Sequence, residues 1–486
     1  MLDNSFQKMT TNLPNPDMPP SDFRLHGQGL IDWIAAYLAD PRQYPVTPQT
    51  NPGDLTNDLP RTAPATSESM ETILQDFHGL ILPRLTHWNH PRFFAYFSIS
   101  SSAPAILAEL LTAALDVNGM LWKTCPAATE LEQVTARWVL DWLGLPTNWF
   151  GMIVDTASTA IIQPIVAARE CAAAPIDRLI AYVSEQTHSS VEKAARAAGI
   201  DRENIRHIEV DDMFRMNPSA LIKAIREDIA LNLHPFFVAA TVGTTSTTAI
   251  DPIPEIAKVC RDYNLWLHVD GAYGGAFGLL PECRHFLQGV EQADSFIVNP
   301  HKQLMVPIDC SLLYTRHPEK LRAAFSLQPE YLKTGVTGAI DYMDYGLALG
   351  RRFRSLKLWF TMRYFGHDGI AAILRNSREM AGWLADQISA DDRFELAAPV
   401  TMGLVCFRLR DGDTRNLMHR LNAAGFYVSH TVLHKKSRSA SPSATCAPPG
   451  KTSKPSGRQF PINLSSEKVA QVPDLRIRAK ARSLIN

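Results

Sequence analysis

The stretch SFIVNPHKQLMVP, Ser295 to Pro307, carries a lysine out of one apolar, β-branched run and straight into another. Lysine is among the residues least often buried, because an unpaired ammonium in a low dielectric either costs several kcal/mol or loses its proton. A lysine in this setting snorkels to water or is kept for its amine. The preceding run LWLHVDGA, Leu265 to Ala272, closes on a charged residue in the same way. Working outward, short β-rich runs recur from Gly151 to Arg316: GMIVD, LIAYVS, HPFFVAATVG, LWLHVDGA, SFIVN and SLLYTR. Between them lie helical stretches such as SSVEKAARAAG and PSALIKAIREDIA. Strand–helix alternation predicts an α/β fold, a mostly parallel sheet with helices on both faces. In such sheets ligands bind beyond the carboxyl ends of the strands. Asp155 to Ser158, His188, Thr244 with Thr245, Asp270, and His301 with Lys302 all fall there. That many strand ends delivering polar groups to one edge exceeds what packing needs, and it favours the reading in which Lys302 is kept for its amine.

The flanks are different in character. Residues 1–90 read as an N-terminal segment with one amphipathic helix, SDFRLHGQGLIDWIAAYLAD, capped by Ser21 or Asp22, followed by extended Pro/Thr/Asn-rich chain from Pro41 to Thr66. Such a segment has no core of its own and is expected to pack on another surface, a second subunit included. Residues 91–375 form the large domain; SLKLWFTMRYFG and REMAGWLADQIS read as helices at and beyond its end. Residues 376–433 read as a small α+β domain, with a strand pair in FELAAPVTMGLVCFRLR and a helix and strand in TRNLMHRLNAAGFYVSH. Residues 434–486 open on HKKSRSASPSATCAPPGKTSKPSGRQ, which is basic, Ser/Pro-rich and without period, so an unordered tail and an incomplete small domain are expected.

Totals exclude several classes. The 486 residues are 45% apolar and 20% charged, with a net charge of -1, so nothing draws the chain as a whole to nucleic acid or an anionic membrane. No apolar run approaches the ~20 residues that span a bilayer, and the N-terminus lacks a secretory pattern. Seven cysteines without a CxxC or zinc spacing point to a reducing, cytoplasmic compartment and to no metal site.

The segments NPHK, HVDGAYGG, EQTHSSVEKAA, TVGTTSTTAID, PEYLK and GRRFRSLKLWF together resemble the pyridoxal-phosphate-dependent group II amino-acid decarboxylases, closest to those acting on aromatic L-amino acids. The resemblance runs from about Phe23 to Leu433 and leaves the last fifty or so residues unmatched. It implies a fold-type I architecture, pyridoxal 5'-phosphate as cofactor, and a homodimer with active sites at the subunit interface. It further implies that Lys302 holds the cofactor's aldehyde and that Asp270 keeps the pyridine nitrogen protonated. His188 would stack on one ring face and Ala272 on the other. Thr156, Ala157 and Ser158, opening a helix after a strand, would cradle the phosphate, flanked by Asn299 and His301, with Thr245 near the ring hydroxyl. Tyr331, in QPEYLKTGVTGAIDY, would protonate the carbanion from a closing loop; relatives with phenylalanine there form aldehydes. Trp88, Tyr96 and Phe97 in LTHWNHPRFFAYF, and Gly350, would wall the substrate pocket.

The resemblance therefore implies decarboxylation of an aromatic L-amino acid to its amine. The alternatives are an aldehyde-forming relative, a decarboxylase of acidic or diamino acids, and a product inactivated by its altered C-terminus. Departures from the family pattern are Asp155 where many relatives have glycine, Ile99 in place of a threonine, a shorter lid, and Pro164 inside the helix after the cradle, where a kink is expected.

Overall fold

The computed structural model describes residues 17–97, 101–327 and 336–433, together with the backbone of residues 469–473. Two compact units divide the chain: Met1–Phe93 with Gly425–Tyr427, and Phe94–Ala424 with Val428–Asn486.

The smaller unit begins with helix α1 (Pro20–Ala39). Its cap is Pro19 rather than Ser21 or Asp22, because Pro20 occupies the first helical position, where its fixed φ suits the turn and its missing N–H would have had no partner. Among the described residues α1 buries none of its own, and Phe23, Leu25, Leu30 and Ile31 are all exposed. The stretch expected to be extended contains a 3-10 turn at Pro41–Gln43 and helix α2 (Asp54–Asp58), entered through Gly53 in the left-handed region. Helix α3 (Met70–Asp76) starts on Ser69, whose Oγ accepts from the Thr72 N–H at 3.2 Å. Trp33 stacks on Tyr37 and meets Phe77 edge-on, with ring centroids 5.5 and 5.7 Å apart.

In the larger unit, helices α4 (Ala103–Leu115) and α5 (Pro126–Leu143) precede strand β1 (Phe150–Val154). Then follow α6 (Ala157–Ala160), α7 (Ile162–Cys171), β2 (Leu179–Ser184), α8 (Ser189–Ala197), β3 (Ile205–Ile208), α9 (Pro218–Ala230) and β4 (His234–Thr241). The order continues through α10 (Ile253–Asp262), β5 (Trp266–Asp270), β6 (Ser295–Val298), α11 (Pro300–Gln303), β7 (Ser311–Thr315) and α12 (Pro318–Phe325). These seven strands form one sheet in the order β1-β7-β6-β5-β4-β2-β3. Neighbours from β3 to β6 are parallel, and β7 alone runs against both of its neighbours.

The near-continuous apolar strands are explained by burial on both faces. Successive residues of β2 alternate between two cores, Ile180 and Tyr182 on one side, Leu179, Ala181 and Val183 on the other. The first core also takes Leu221 and Ile225 of α9 and Ile256 of α10; the second takes Ile165 of α7, Val191 of α8 and Leu321 of α12. Pro164 produces no kinked continuous helix. The chain breaks at Ile161, and Pro164 becomes the third residue of α7, in the first turn, where N–H groups lack partners within the segment.

The two helices expected after Gly350 are one element, α13 (Arg354–Ser389), bent where Gly366 takes φ 63° and ψ 178°. Strands β8 (Phe394–Leu396) and β9 (Leu404–Leu409) make the expected antiparallel pair, followed by α14 (Thr414–Ala423) and β10 (Tyr427–Thr431). The C-terminal stretch expected to be unordered contains one strand, β11 (Val469–Pro473), antiparallel to both β9 and β10. The backbone donors and acceptors between β9 and β10 would otherwise lack a ladder, and this short β-branched run completes it. Residues 434–468 and 474–486 lie outside the described residues.

Candidate active site

The carboxyl ends of β1, β2, β4, β5 and β6 converge on one cavity of about 200 Å³. Phe97, Thr156, Ala157, Ser158, His188, Thr245, Asp270, Ala272, Asn299, His301 and Lys302 all line it, so these sequence-predicted residues come together. Four further lining residues, Ser190, Thr241, Gly243 and Tyr273, were not anticipated.

Asp270 is the last residue of β5 and is buried. Its Oδ1 accepts the Ala272 N–H at 2.9 Å, which fixes the carboxylate. Lys302 sits in the short turn of helix that Pro300 starts, its backbone N–H bonded to the Asn299 carbonyl at 3.0 Å. Its Nζ lies 5.5 Å from the centre of the Phe97 ring. Burial lowers the pKa of Lys302, opposed by the Asp270 carboxylate, so its amine is neutral more often than a surface lysine's. The Phe97 ring in turn stacks on Tyr273, 3.7 Å between centroids and 9° between planes.

The other wall is set by buried polar groups. Asp251, closing the TAID segment, accepts the Met216 N–H at 2.7 Å and the Thr241 N–H at 2.8 Å, and burial raises its pKa to about 6. That holds the end of β4, where Thr241 stands in register with Asp270 of β5. Beyond it Gly243 has φ +86°, and a Cβ there would come within 2.9 Å of the Gly274 Cα, so this turn closes only on glycine. His188 caps α8, open to solvent on its outer side, with Nδ1 2.7 Å from the Ser190 hydroxyl. Burial against the cavity wall lowers its pKa, Asp270 opposing and Lys302 assisting.

The residue set fits pyridoxal phosphate on two observations. His301 Nδ1 accepts the Cys310 N–H at 3.0 Å, so the proton of this imidazole, held neutral by burial with a pKa of about 4, is on Nε2. Asn299 Oδ1 accepts from the Ser311 hydroxyl at 2.8 Å, which makes Nδ2 a donor. Two donors thus face each other 3.3 Å apart in a buried corner, an arrangement an anionic oxygen would relieve. At the other end the Thr241 Oγ1 is buried with no partner among the described residues. The start of α6 between them has a capping box, Thr156 with Thr159, and Asp155 turns its Oδ1 onto the Thr156 N–H at 2.7 Å. Asp155, which stands where many relatives have glycine, thus bonds within the turn to the N–H and hydroxyl donors of Thr156 and Thr159. No cluster of His, Cys, Asp or Glu suited to a metal occurs among the described residues.

Other anticipated residues lie elsewhere. Trp88 belongs to the smaller unit, its ring 4.5 Å from that of Phe93. Tyr96 is exposed in the left-handed region (φ 57°), with its N–H 3.4 Å from the Ser429 Oγ. Gly350 is exposed and does not line the cavity. Tyr331 and Ile99 lie outside the described residues. The missed lining residues carry ordinary sequence signals. Thr241 reads as a β-former and Tyr273 as core; only their place at or beside a strand end that neighbours Asp270 could have flagged them.

Residues 52–410 match the pyridoxal-dependent decarboxylase conserved domain. Tyrosine decarboxylase 4 of Petroselinum crispum is 40% identical, over 88% of this chain and 90% of that one. Phenylacetaldehyde synthase of Petunia hybrida is also 40% identical, over 89% and 91%. The solved structure of Oryza sativa TDC with PLP and tryptamine superposes with a TM-score of 0.87 at 33% identity, covering 97% of both chains.

Proposed function

The chain belongs to the pyridoxal-dependent decarboxylases, which act on amino acids with pyridoxal phosphate, and from that premise we propose that it converts an aromatic L-amino acid to the amine and carbon dioxide. The observation carrying the substrate class is the Phe97–Tyr273 stack beside Lys302, an apolar aromatic wall in a cavity with no arginine among its described lining residues. A side-chain carboxylate would need such an arginine. Relatives that include a tyrosine decarboxylase support the same reading.

Bound pyridoxal phosphate supplies an aldehyde that condenses with an amine and a pyridinium ring that takes up the electron pair left by departing carbon dioxide. Lys302, its pKa lowered by burial, would offer the neutral amine that holds the aldehyde. The Asp270 carboxylate, pinned by the Ala272 N–H, would hold the proton on the ring nitrogen. Asn299 Nδ2, His301 Nε2 and N–H groups at the start of α6 would hold the phosphate, and Thr245, His188 and Ala272 would bind the ring. Tyr331 would supply the proton that the amine product needs. Trp88, Tyr96 and Gly350 would serve the substrate pocket, as the resemblance implies. The homodimer is supported by α4, where Leu107, Leu110, Leu111 and Leu115 form an exposed apolar stripe at helical spacing, and by the uncovered apolar residues of α1. A cytosolic location is supported by seven cysteines without a CxxC or zinc spacing.

Purified protein supplied with pyridoxal phosphate should release carbon dioxide from tyrosine, dihydroxyphenylalanine, tryptophan or phenylalanine, and not from glutamate or 2,4-diaminobutyrate. The likeness to a phenylacetaldehyde synthase favours a second reading, in which aldehyde is the product. Oxygen uptake and hydrogen peroxide equal to the carbon dioxide would establish that outcome; amine in equal amount with no oxygen uptake is expected. In Tyr331→Phe the product should shift from amine toward aldehyde, because the proton donor is gone.

A further inference from the structure

His188 is the first residue of a helical cap and one wall of the cavity at once. Its Nδ1 receives the Ser190 backbone N–H at 3.2 Å and lies 2.7 Å from the Ser190 Oγ. A backbone N–H can only donate, so Nδ1 must present its lone pair, and the Ser190 hydroxyl then donates to the same atom. The opposite tautomer would set Nδ1–H against the Ser190 N–H and leave a first-turn donor of α8 without its cap. Ser190 is itself buried and lines the cavity.

We propose that Ser190 is a positioning residue that locks His188 in its Nε2–H tautomer, so that the imidazole gives the cavity a hydrogen-bond donor and neither a base nor a source of protons. To release the Nε2 proton the ring would have to become an imidazolate or take a proton at Nδ1, and the second route breaks the contact with the Ser190 backbone N–H and reverses the one with its hydroxyl. Charged groups bearing on the ring are Asp270, Lys302 and Lys193; none of them reaches Nδ1 in place of Ser190. The proton that ends the reaction therefore comes from another group, and His188 orients what lies against it. The tautomer stands on the geometry of the cap alone; its catalytic consequence rests on the decarboxylase reading.

Histidine-selective 15N labelling of the cofactor-free protein tests the lock without reference to activity. The His188 signals are assigned by their loss in His188→Gln. At a pH where the ring is neutral, the wild type should show an unprotonated Nδ1 and a protonated Nε2, with the Nε2–H form in excess by roughly fivefold or more, the ratio an N-cap hydrogen bond of ordinary strength imposes. Ser190→Ala retains the amide donor and loses the hydroxyl, so Nδ1 should move toward its free position and the ratio should fall several-fold. Ser190→Thr should restore both. A protonated Nδ1 in the wild type, or an unchanged spectrum in Ser190→Ala, overturns the proposal. Should the alanine variant fail to fold, the wild-type spectrum still decides. A normal wild-type tautomer in a protein that releases no carbon dioxide from any amino acid would leave the lock standing and refute the function.

Discussion

Replacing Glu132 tests whether the strand leading to the phosphate corner is held from behind. Glu132, on α5, is 4% exposed and Arg351 is 7% exposed. The Glu132 Oε1 accepts the Ile153 N–H at 2.7 Å and an Arg351 Nη2–H at 2.6 Å, and the same Nη2 donates to the Ile153 carbonyl at 2.6 Å. The Arg351 guanidinium also lies 4.5 Å above the buried Tyr342 ring. Glu132→Ala leaves a buried guanidinium and a buried N–H uncompensated, at a cost of about 3–5 kcal/mol. Against a stability of ~5–15 kcal/mol for a folded domain that is a large loss. Glu132→Gln keeps an oxygen that can accept from Ile153 and Arg351 but removes the counter-charge of the buried guanidinium, so an intermediate loss of about 2 kcal/mol is expected. Glu132→Gln with Arg351→Met should be less damaging than the two single losses added, by roughly 2 kcal/mol, because the pair is removed together. Urea midpoints supply the four corners of the cycle, and titration with pyridoxal phosphate reads the site, since β1 runs two residues from Thr156. Affinity should fall in Glu132→Ala and recover in the double variant. Additive losses, or a Glu132→Ala protein as stable as wild type, would refute the reasoning.

Lys302→Ala should lose the visible absorbance of covalently held cofactor and the release of carbon dioxide together, with far-ultraviolet dichroism unchanged; normal turnover would remove the lysine from the mechanism. Asp270→Asn should weaken cofactor binding and cut turnover by at least about a hundredfold, since a neutral amide cannot hold the ring proton as the carboxylate does; wild-type rates would show that the charge is dispensable. Acid should destabilise the fold from pH 7 downward. His268 and His301 have folded pKa values of about 4 against an ordinary 6.5, so between those values the unfolded chain binds protons the folded one refuses. Each costs roughly 2 kcal/mol between pH 7 and pH 5, while Asp251, raised to about 6, returns roughly 1 kcal/mol as it protonates in the fold. A urea midpoint that stays level or rises on going to pH 5 would contradict that balance.

Local chemistry was legible in the sequence where a strand and its terminal residue are contiguous. HVDGA and NPHK could be placed at an edge because a β-rich run stops there, and Asp270, Asn299, His301 and Lys302 do share the cavity. Partners set by register were not legible. Thr241 stands beside Asp270 only because β4 pairs with β5 in that alignment, which nothing in AATVG specifies. Ser190 carries no signal of its own in SSVEKAA, since its bond to His188 depends on the conformation of the cap. The break at Ile161 has no signal in the sequence, because a proline inside a helical pattern is compatible with a kink as well as with the first turn of a new helix. Gly350 and Trp88 were assigned to the pocket by resemblance, and in the single chain neither lines the cavity.

The insertion of β7 between β1 and β6 has a consequence for how the protein is made. Among the described residues strand β1 is joined to the sheet only through β7, with Phe150 opposite Thr315 and Val154 opposite Ser311. Some 160 residues separate the two in the chain. At a translation rate of about 5–20 residues per second, β1 waits roughly 8–30 s outside the ribosome before its partner exists. Long-range pairing of this kind is slow even in the finished chain. The corner at Thr156 is therefore among the last parts of the cavity to form, and nascent chains released or cut before Thr315 should be unable to retain the cofactor. A cell short of chaperones should lose this enzyme at that interval, with its apolar β1 edge bare, sooner than it loses the mature protein.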